Sequence, residues 1–229
     1  MTRSLKNKVV AIPHAISATG SAVAKLVLSQ HGRLALGALG QTQFKALDAE
    51  VDGRQDAYAQ RVDLDNPKSV AQFFQVAFAQ FGRIDVIVVE AAPAPASLGR
   101  ATTTAQIIDT GVRRLLHCLD AVLEYAKDDL HVISIAPVVG RIAIPVATAF
   151  LGSKLATAKI SSTPRVRMSI VSPFVGQHPD DSSLARTVIN VMKEERSPDI
   201  ADIVLPNHRA PRLREAKKSG ARSKLFVPI

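Results

Sequence analysis

The chain has 229 residues, of which 47% are hydrophobic, with a formal net charge of +9 and one cysteine. That length suits a single α/β domain whose core stands without staples or metals, and it leaves two domains cramped. The lone Cys118 excludes an internal disulfide and any cysteine-cluster metal site, and no apolar run approaches the roughly 18 residues that span a bilayer. The first ten residues lack an apolar stretch followed by a small-residue cleavage site, so a cytoplasmic location is expected.

Taken in chain order, residues 8–12 form a short β-rich run, and residues 21–30 then place Val23, Leu26 and Val27 on one helical face. Residues 33–39 predict a second strand, 41–50 a weak helix and 57–62 a third strand. Asp63 closes that strand, Asn66 is placed to cap the next helix, and Pro67 takes its first position. Val70, Phe73, Phe74, Ala77 and Phe78 recur at helical spacing through residues 69–81. Residues 84–89 are almost wholly apolar, as in a parallel strand covered on both faces.

A long helix fits 104–127, with Val112, Leu115, Leu116, Leu119 and Val122 at helical spacing. A strand fits 130–135, a helix 146–161 and a strand 165–171, and a last helix begins at about Asp181. The repeated β-α order predicts a single-domain Rossmann-like fold over residues 1–205, a doubly wound parallel sheet with helices on both faces. Residues 206–229 form a basic C-terminal extension. Arg209, Arg212, Arg214, Lys217, Lys218, Arg222 and Lys224 stand there against Glu215 alone. Such a run either attracts phosphates or an acidic surface, or is a solvated end, and both readings stay open. Nucleic acid is disfavoured, because Phe226 is the extension's one aromatic residue for stacking.

The phrases LKNKVVAI, RVDLDNPKSV, FGRIDVIVV, HVISIAPVVGRIAIPVATAFLGSKLA and RMSIVSPF, in that order and spacing, resemble the classical short-chain dehydrogenase/reductase family. LARTVINVMKEERSPDIADIVLP extends the likeness through a last helix and strand, so it covers residues 5 to 206.

The departures from that family's pattern bear on function. Its phosphate loop reads T-G-x-x-x-G-x-G, where glycines let the backbone approach a pyrophosphate at a helix N-terminus. Here the stretch runs from Pro13 to Gly20, and of the glycines Gly20 alone remains. Pro13 removes a backbone donor, while His14 and Ala18 add side chains where the loop needs none. Binding of NAD(P) is therefore expected to be weak or lost, and no cofactor or metal is expected. Asp63 stands where the family contacts adenine, though an Asp at a strand end also opens a helix. Gly37 to Gly40 offers neither an acid for a ribose hydroxyl nor an Arg for a 2′-phosphate. Glu90 stands in the family's Asn-Asn-Ala-Gly stretch, facing either the pyrophosphate region, with the wrong sign of charge, or solvent.

The resemblance further implies a catalytic Tyr, Lys, Ser and Asn. Counting from Lys154 places Phe150 at the Tyr position and Pro137 at the Ser position, and alignment on Gly111 places Ile108 at the Asn position. Lys154 alone is retained. Phenylalanine carries no ionisable proton, and losing a general acid/base costs about 10²- to 10⁴-fold. His131, Ser134 and Ser153 lie nearby without the spacing to replace the lost donors. Residues 172–181 leave no room for a substrate lid of the family's usual size.

The expectation is a catalytically inactive subunit that assembles with an active dehydrogenase. The family's dimer helices correspond to 104–127 and 146–161. Heteromeric relatives with one degenerate subunit, acting on a hydroxyacyl-coenzyme A, are similar in kind. The alternative is a cofactor-independent non-redox enzyme, a dehalogenase, cyclase or isomerase, that uses the vacated crevice.

Overall fold

The computed structural model describes residues 4–90, 104–126, 129–135, 146, 149, 166–172, 181–194 and 200–204. In chain order its elements are β1 (Val9–Ile12), α1 (Ala18–Ser29), β2 (Arg33–Ala38), α2 (Gln41–Val51), β3 (Ala57–Arg61) and α3 (Pro67–Phe81). These are followed by β4 (Val86–Glu90), α4 (Thr104–Leu123), β5 (Leu130–Ile135), β6 (Val166–Ser172), α5 (Asp181–Lys193) and β7 (Ile200–Val204). The strands make one sheet in the order β3-β2-β1-β4-β5-β6-β7, with every pairing parallel. This is the doubly wound α/β architecture that the alternating pattern predicts.

Local chemistry sets the helix boundaries. Asn66 caps α3 as expected, its Oδ1 accepting from the Lys68 N–H at 3.0 Å and, more loosely, the Ser69 N–H at 3.4 Å, with Pro67 in the first turn. α1 begins earlier than the apolar spacing predicts, at Ala18, because Ser17 supplies the cap: its Oγ accepts from the Gly20 N–H at 2.8 Å. α4 stops at Leu123, short of the predicted end at residue 127. Of the helix predicted over 146–161, Val146 and Ala149 are described and helical. The rest of that helix lies outside the described residues, as does the extension 206–229 with its domain boundary.

Strand alternation splits the core in two. Val86 and Val88 of β4 pack with α1, α2 and α5, whereas Ile87 and Val89 pack with α3 and α4 on the opposite face. Phe73 and Phe74 of α3 are fully buried, with ring centroids 5.2 Å apart in an edge-on arrangement. Burying each contributes about 2–3 kcal/mol against the entropy of ordering the chain. The register pairs Val10 with Val86 and Ala11 with Ile87. The carboxyl ends of β1 and β4 therefore lie side by side where the strand order reverses, which is where ligands bind in open α/β sheets.

Candidate functional site at the switch point

The loop from Pro13 to Ser17 runs from β1 to α1 and is fastened to β2. The Ala15 N–H donates to the Gly37 carbonyl at 2.9 Å. The Pro13 carbonyl lies so close over Gly37 that a Cβ there would sit 2.2 Å from its oxygen. Gly20 is a second close approach, since a Cβ on it would lie 2.9 Å from Ser17 Oγ and 3.0 Å from the His14 carbonyl oxygen. Gly20 thus serves the packing of the loop on the first turn of α1.

Two polar links span the crevice mouth. His14 Nδ1 lies 3.6 Å from Glu90 Oε2, joining the end of β1 to the end of β4, with both side chains mostly covered. The Thr19 hydroxyl donates to Asp181 Oδ1 at 2.6 Å, joining the first turn of α1 to the first turn of α5. The Asp181 carboxylate therefore stands beside the amino end of α1, whose partial positive charge ordinarily favours a bound anion, and Glu90 stands against the loop that leads into it. Glu90, whose direction the sequence leaves open, turns toward His14 of the β1–α1 loop.

The family model for short chain dehydrogenases matches residues 8–169, most of the chain. The chain belongs to the short-chain dehydrogenase/reductase family. An uncharacterized oxidoreductase of Staphylococcus saprophyticus is 26% identical to it, covering 86% of this chain and 87% of the relative. Among solved structures it resembles a short-chain dehydrogenase/reductase described as glucose/ribitol dehydrogenase from Brucella melitensis. The TM-score is 0.66 at 15% identity, over 89% of this chain and 97% of that one. A short chain dehydrogenase from Mycobacterium smegmatis gives 0.66 at 17% identity, over 90% and 95%. At these identities the structural likeness speaks for the fold alone.

Within this short-chain dehydrogenase/reductase frame, Asp63 sits at the turn into α3. Its Oδ1 accepts from the Asp65 N–H at 3.0 Å, and its own N–H donates to Ser69 Oγ at 2.9 Å. Asp65 in turn pairs with Arg114 of α4, whose guanidinium holds that carboxyl below the usual range. Ile108 lies half-buried on α4. Phe150, Lys154, Pro137 and Ser153 lie outside the described residues, as do residues 173–180, where the shortened lid segment falls.

His131 lies apart from the crevice end of the sheet, whereas Ser134 pairs with Val89, next to Glu90. His131 is near the amino end of its strand, four residues and roughly 13 Å of strand from Ile135, which pairs with Glu90. It is 2% exposed, and its Nε2 shares a hydrogen bond of 2.9 Å with Ser169 Oγ. Burial, aided by Arg167, pushes its pKa down to about 3, so the ring is neutral. Ser134 is fully buried, and its hydroxyl has no hydrogen-bond partner among the described residues. Burial pushes the Cys118 thiol up to about 12, which makes it a packing residue of α4.

The sequence singles out both His14 and Glu90 but does not show that they meet. The available signal is topological: the two residues end consecutive members of the sheet order, β1 and β4. Thr19 and Asp181 stand 162 positions apart, and no spacing pattern links them.

Proposed function

We propose that this chain is a short-chain dehydrogenase/reductase-fold protein that has given up nucleotide-driven hydride transfer. In this reading it serves as a non-catalytic subunit that supports an active dehydrogenase, with a hydroxyacyl-coenzyme A as the candidate substrate of that partner. The observation that carries the proposal is the pairing of His14 with Glu90 across the place where a dinucleotide's pyrophosphate would lie. The residues present do not fit that group. Pro13 offers no N–H, the Ser17 hydroxyl already takes the Gly20 N–H, and Glu90 and Asp181 bring negative charge to a site for phosphates. Phe150 and Pro137 at the Tyr and Ser positions support the same reading from the sequence.

The test is titration of the purified chain with NADH and NADPH, together with purification alongside its genomic neighbours. The expected results are no saturable binding below the millimolar range and capture of a motif-complete dehydrogenase whose turnover falls when this chain is omitted. A micromolar dissociation constant overturns the loss of nucleotide. A chain that remains alone and leaves its neighbours' turnover unchanged overturns the subunit role.

One observation also favours cofactor-independent chemistry in the same crevice: the group facing the glutamate is an imidazole, whose two ring nitrogens can accept and donate protons.

A further inference from the structure

The change that makes the crevice unsuited to phosphate also places a proton-transfer pair there. A histidine becomes a directed base when a carboxylate holds one ring nitrogen and leaves the other facing the reactant. His14 has that arrangement. Its Nδ1 faces Glu90 Oε2 at 3.6 Å, and its Nε2 has no hydrogen-bond partner among the described residues. The separation exceeds a tight hydrogen bond, as base and orienting group often do before a ligand closes on them. The His14 side chain keeps 30% of its surface exposed, while Glu90 is more covered at 20%.

The position is independent of the pairing and points the same way. The pair bridges the carboxyl ends of β1 and β4, where the sheet order reverses and the fold opens its crevice. The His14 carbonyl packs against the first turn of α1 at Gly20, so the backbone of His14 lies beside the amino end of that helix. Its positive end stabilises negative charge as it develops on a nearby oxygen. The fixed charges restrict the reactant, because Glu90 and the Thr19-bound Asp181 disfavour phosphates and carboxylates. Half-buried Ile16, two residues on from His14 in the same loop, and exposed Leu39 at the end of β2 add apolar surface.

We infer that His14, oriented by Glu90, is a general base for isomerising an uncharged, largely apolar carbonyl compound with an acidic C–H bond. The inference rests on the second reading, cofactor-independent chemistry in a crevice that holds no nucleotide, and not on the subunit role. In the step, His14 Nε2 takes the proton from the carbon beside the carbonyl, and the C–H electron pair moves into the enolate, placing negative charge on oxygen. The imidazolium returns the proton to another carbon of the conjugated system, the enolate reverts to a carbonyl, and no oxidant or reductant is consumed. His14 is the catalytic residue and Glu90 the positioning residue.

The experiment uses the full chain as wild type, His14→Gln and Glu90→Gln, with thermal unfolding to confirm that each variant folds. The probe is 5-nitrobenzisoxazole, an uncharged carbon acid. When a base removes its ring C–H proton, that electron pair forms the nitrile, the N–O bond breaks, and a coloured phenolate leaves. Expected is saturable turnover that falls about 100-fold in His14→Gln. In Glu90→Gln, kcat falls about 10-fold while KM changes little, because the carboxylate orients the base and does not bind the probe. Nitrogen-15 NMR separates this from a structural role. The expected signature is a ring proton on Nδ1 with Glu90 present and a shift of that proton toward Nε2 in Glu90→Gln. Turnover unchanged in His14→Gln, or a wild-type ring protonated on Nε2, overturns the inference. Micromolar NADH binding that blocks the probe overturns the underlying reading instead, so the two failures are distinguishable.

Discussion

The carbonyl oxygen of Pro13 sits directly over Gly37, 2.2 Å from where a side-chain carbon would begin. The contact presses the β1–α1 loop onto β2 and lets the Ala15 N–H reach the Gly37 carbonyl at 2.9 Å. Val62 crowds the same point, with a methyl carbon 2.4 Å from the missing Cβ. Gly37→Ala therefore has to lift the loop, and it is expected to cost about 1–3 kcal/mol, the range for overpacking a closed core. Urea unfolding checks this as a lower midpoint at an unchanged slope. A change under about 0.5 kcal/mol would mean that the loop is not seated on β2 as described.

Asp85 is the buried charge at the opposite end of the sheet. Although it is 3% exposed, its carboxylate accepts from Lys8 Nζ at 2.8 Å, the Val9 N–H at 2.9 Å, Arg83 Nε at 2.9 Å and a second Arg83 nitrogen. Asp85→Asn retains the shape but replaces one accepting oxygen with a donor that faces donors. It is expected to cost about 2 kcal/mol. Lys8→Met removes a cation that water partly screens, and it is expected to cost less than about 1 kcal/mol. Denaturant unfolding of the two variants side by side checks the order, and equal losses would contradict the central role given to the carboxylate.

These particulars show what was legible from residues and what was not. Apolar runs such as residues 84–89 gave the strands, because a strand covered on both faces needs apolar residues at every position. Asn66-Pro67 gave the start of α3 through cap chemistry that operates within a few residues. The start of α1 lies upstream of the strongest apolar spacing because Ser17 makes its cap there. The direction of Glu90 was not legible, because a strand end can turn its side chain either way. Its contact with His14 depends on β1 and β4 being neighbours, a property of the sheet and not of either segment. Asp85 gave no sequence signal, since an Asp beside an apolar strand reads as a strand boundary unless its three donors are seen together.

His131 sets a pH dependence with a definite sign. Its folded pKa is pushed down to about 3 by burial first and by Arg167 second, against the ordinary histidine value of 6.5. Below about pH 6.5 the unfolded chain therefore takes up a proton that the folded chain refuses, so stability falls as pH falls. The limiting slope is about 1.4 kcal/mol per pH unit. Asp56 and Asp65, held low by Arg54 and Arg114, lose their contributions only as the pH drops below their ordinary 3.8. The interval from about pH 6 to 4 thus isolates the histidine. His131→Gln keeps a polar group toward Ser169 and is expected to flatten the slope there, as measured by urea unfolding at stepped pH. An unchanged slope would assign the dependence to another group.

Restoring the lost hydroxyls separates the two defects proposed for hydride transfer. Phe150→Tyr with Pro137→Ser returns the family's proton donor and hydrogen-bond donor to the sequence beside Lys154. It leaves His14 paired with Glu90 and Pro13 without an N–H, so the cofactor's phosphates still meet a carboxylate in place of backbone donors. No NADH-dependent carbonyl reduction above background is expected from that double variant. Adding His14→Gly and Glu90→Asn removes the pair and its charge, and the quadruple variant is expected to bind NADH at least about 10-fold more tightly than the double variant, a gain of about 1.4 kcal/mol. Fluorescence titration gives the affinity, and loss of NADH absorbance with a set of small aldehydes and ketones gives the turnover. If the double variant already reduces them, the hydroxyls were the dominant defect and the crevice still accepts nucleotide.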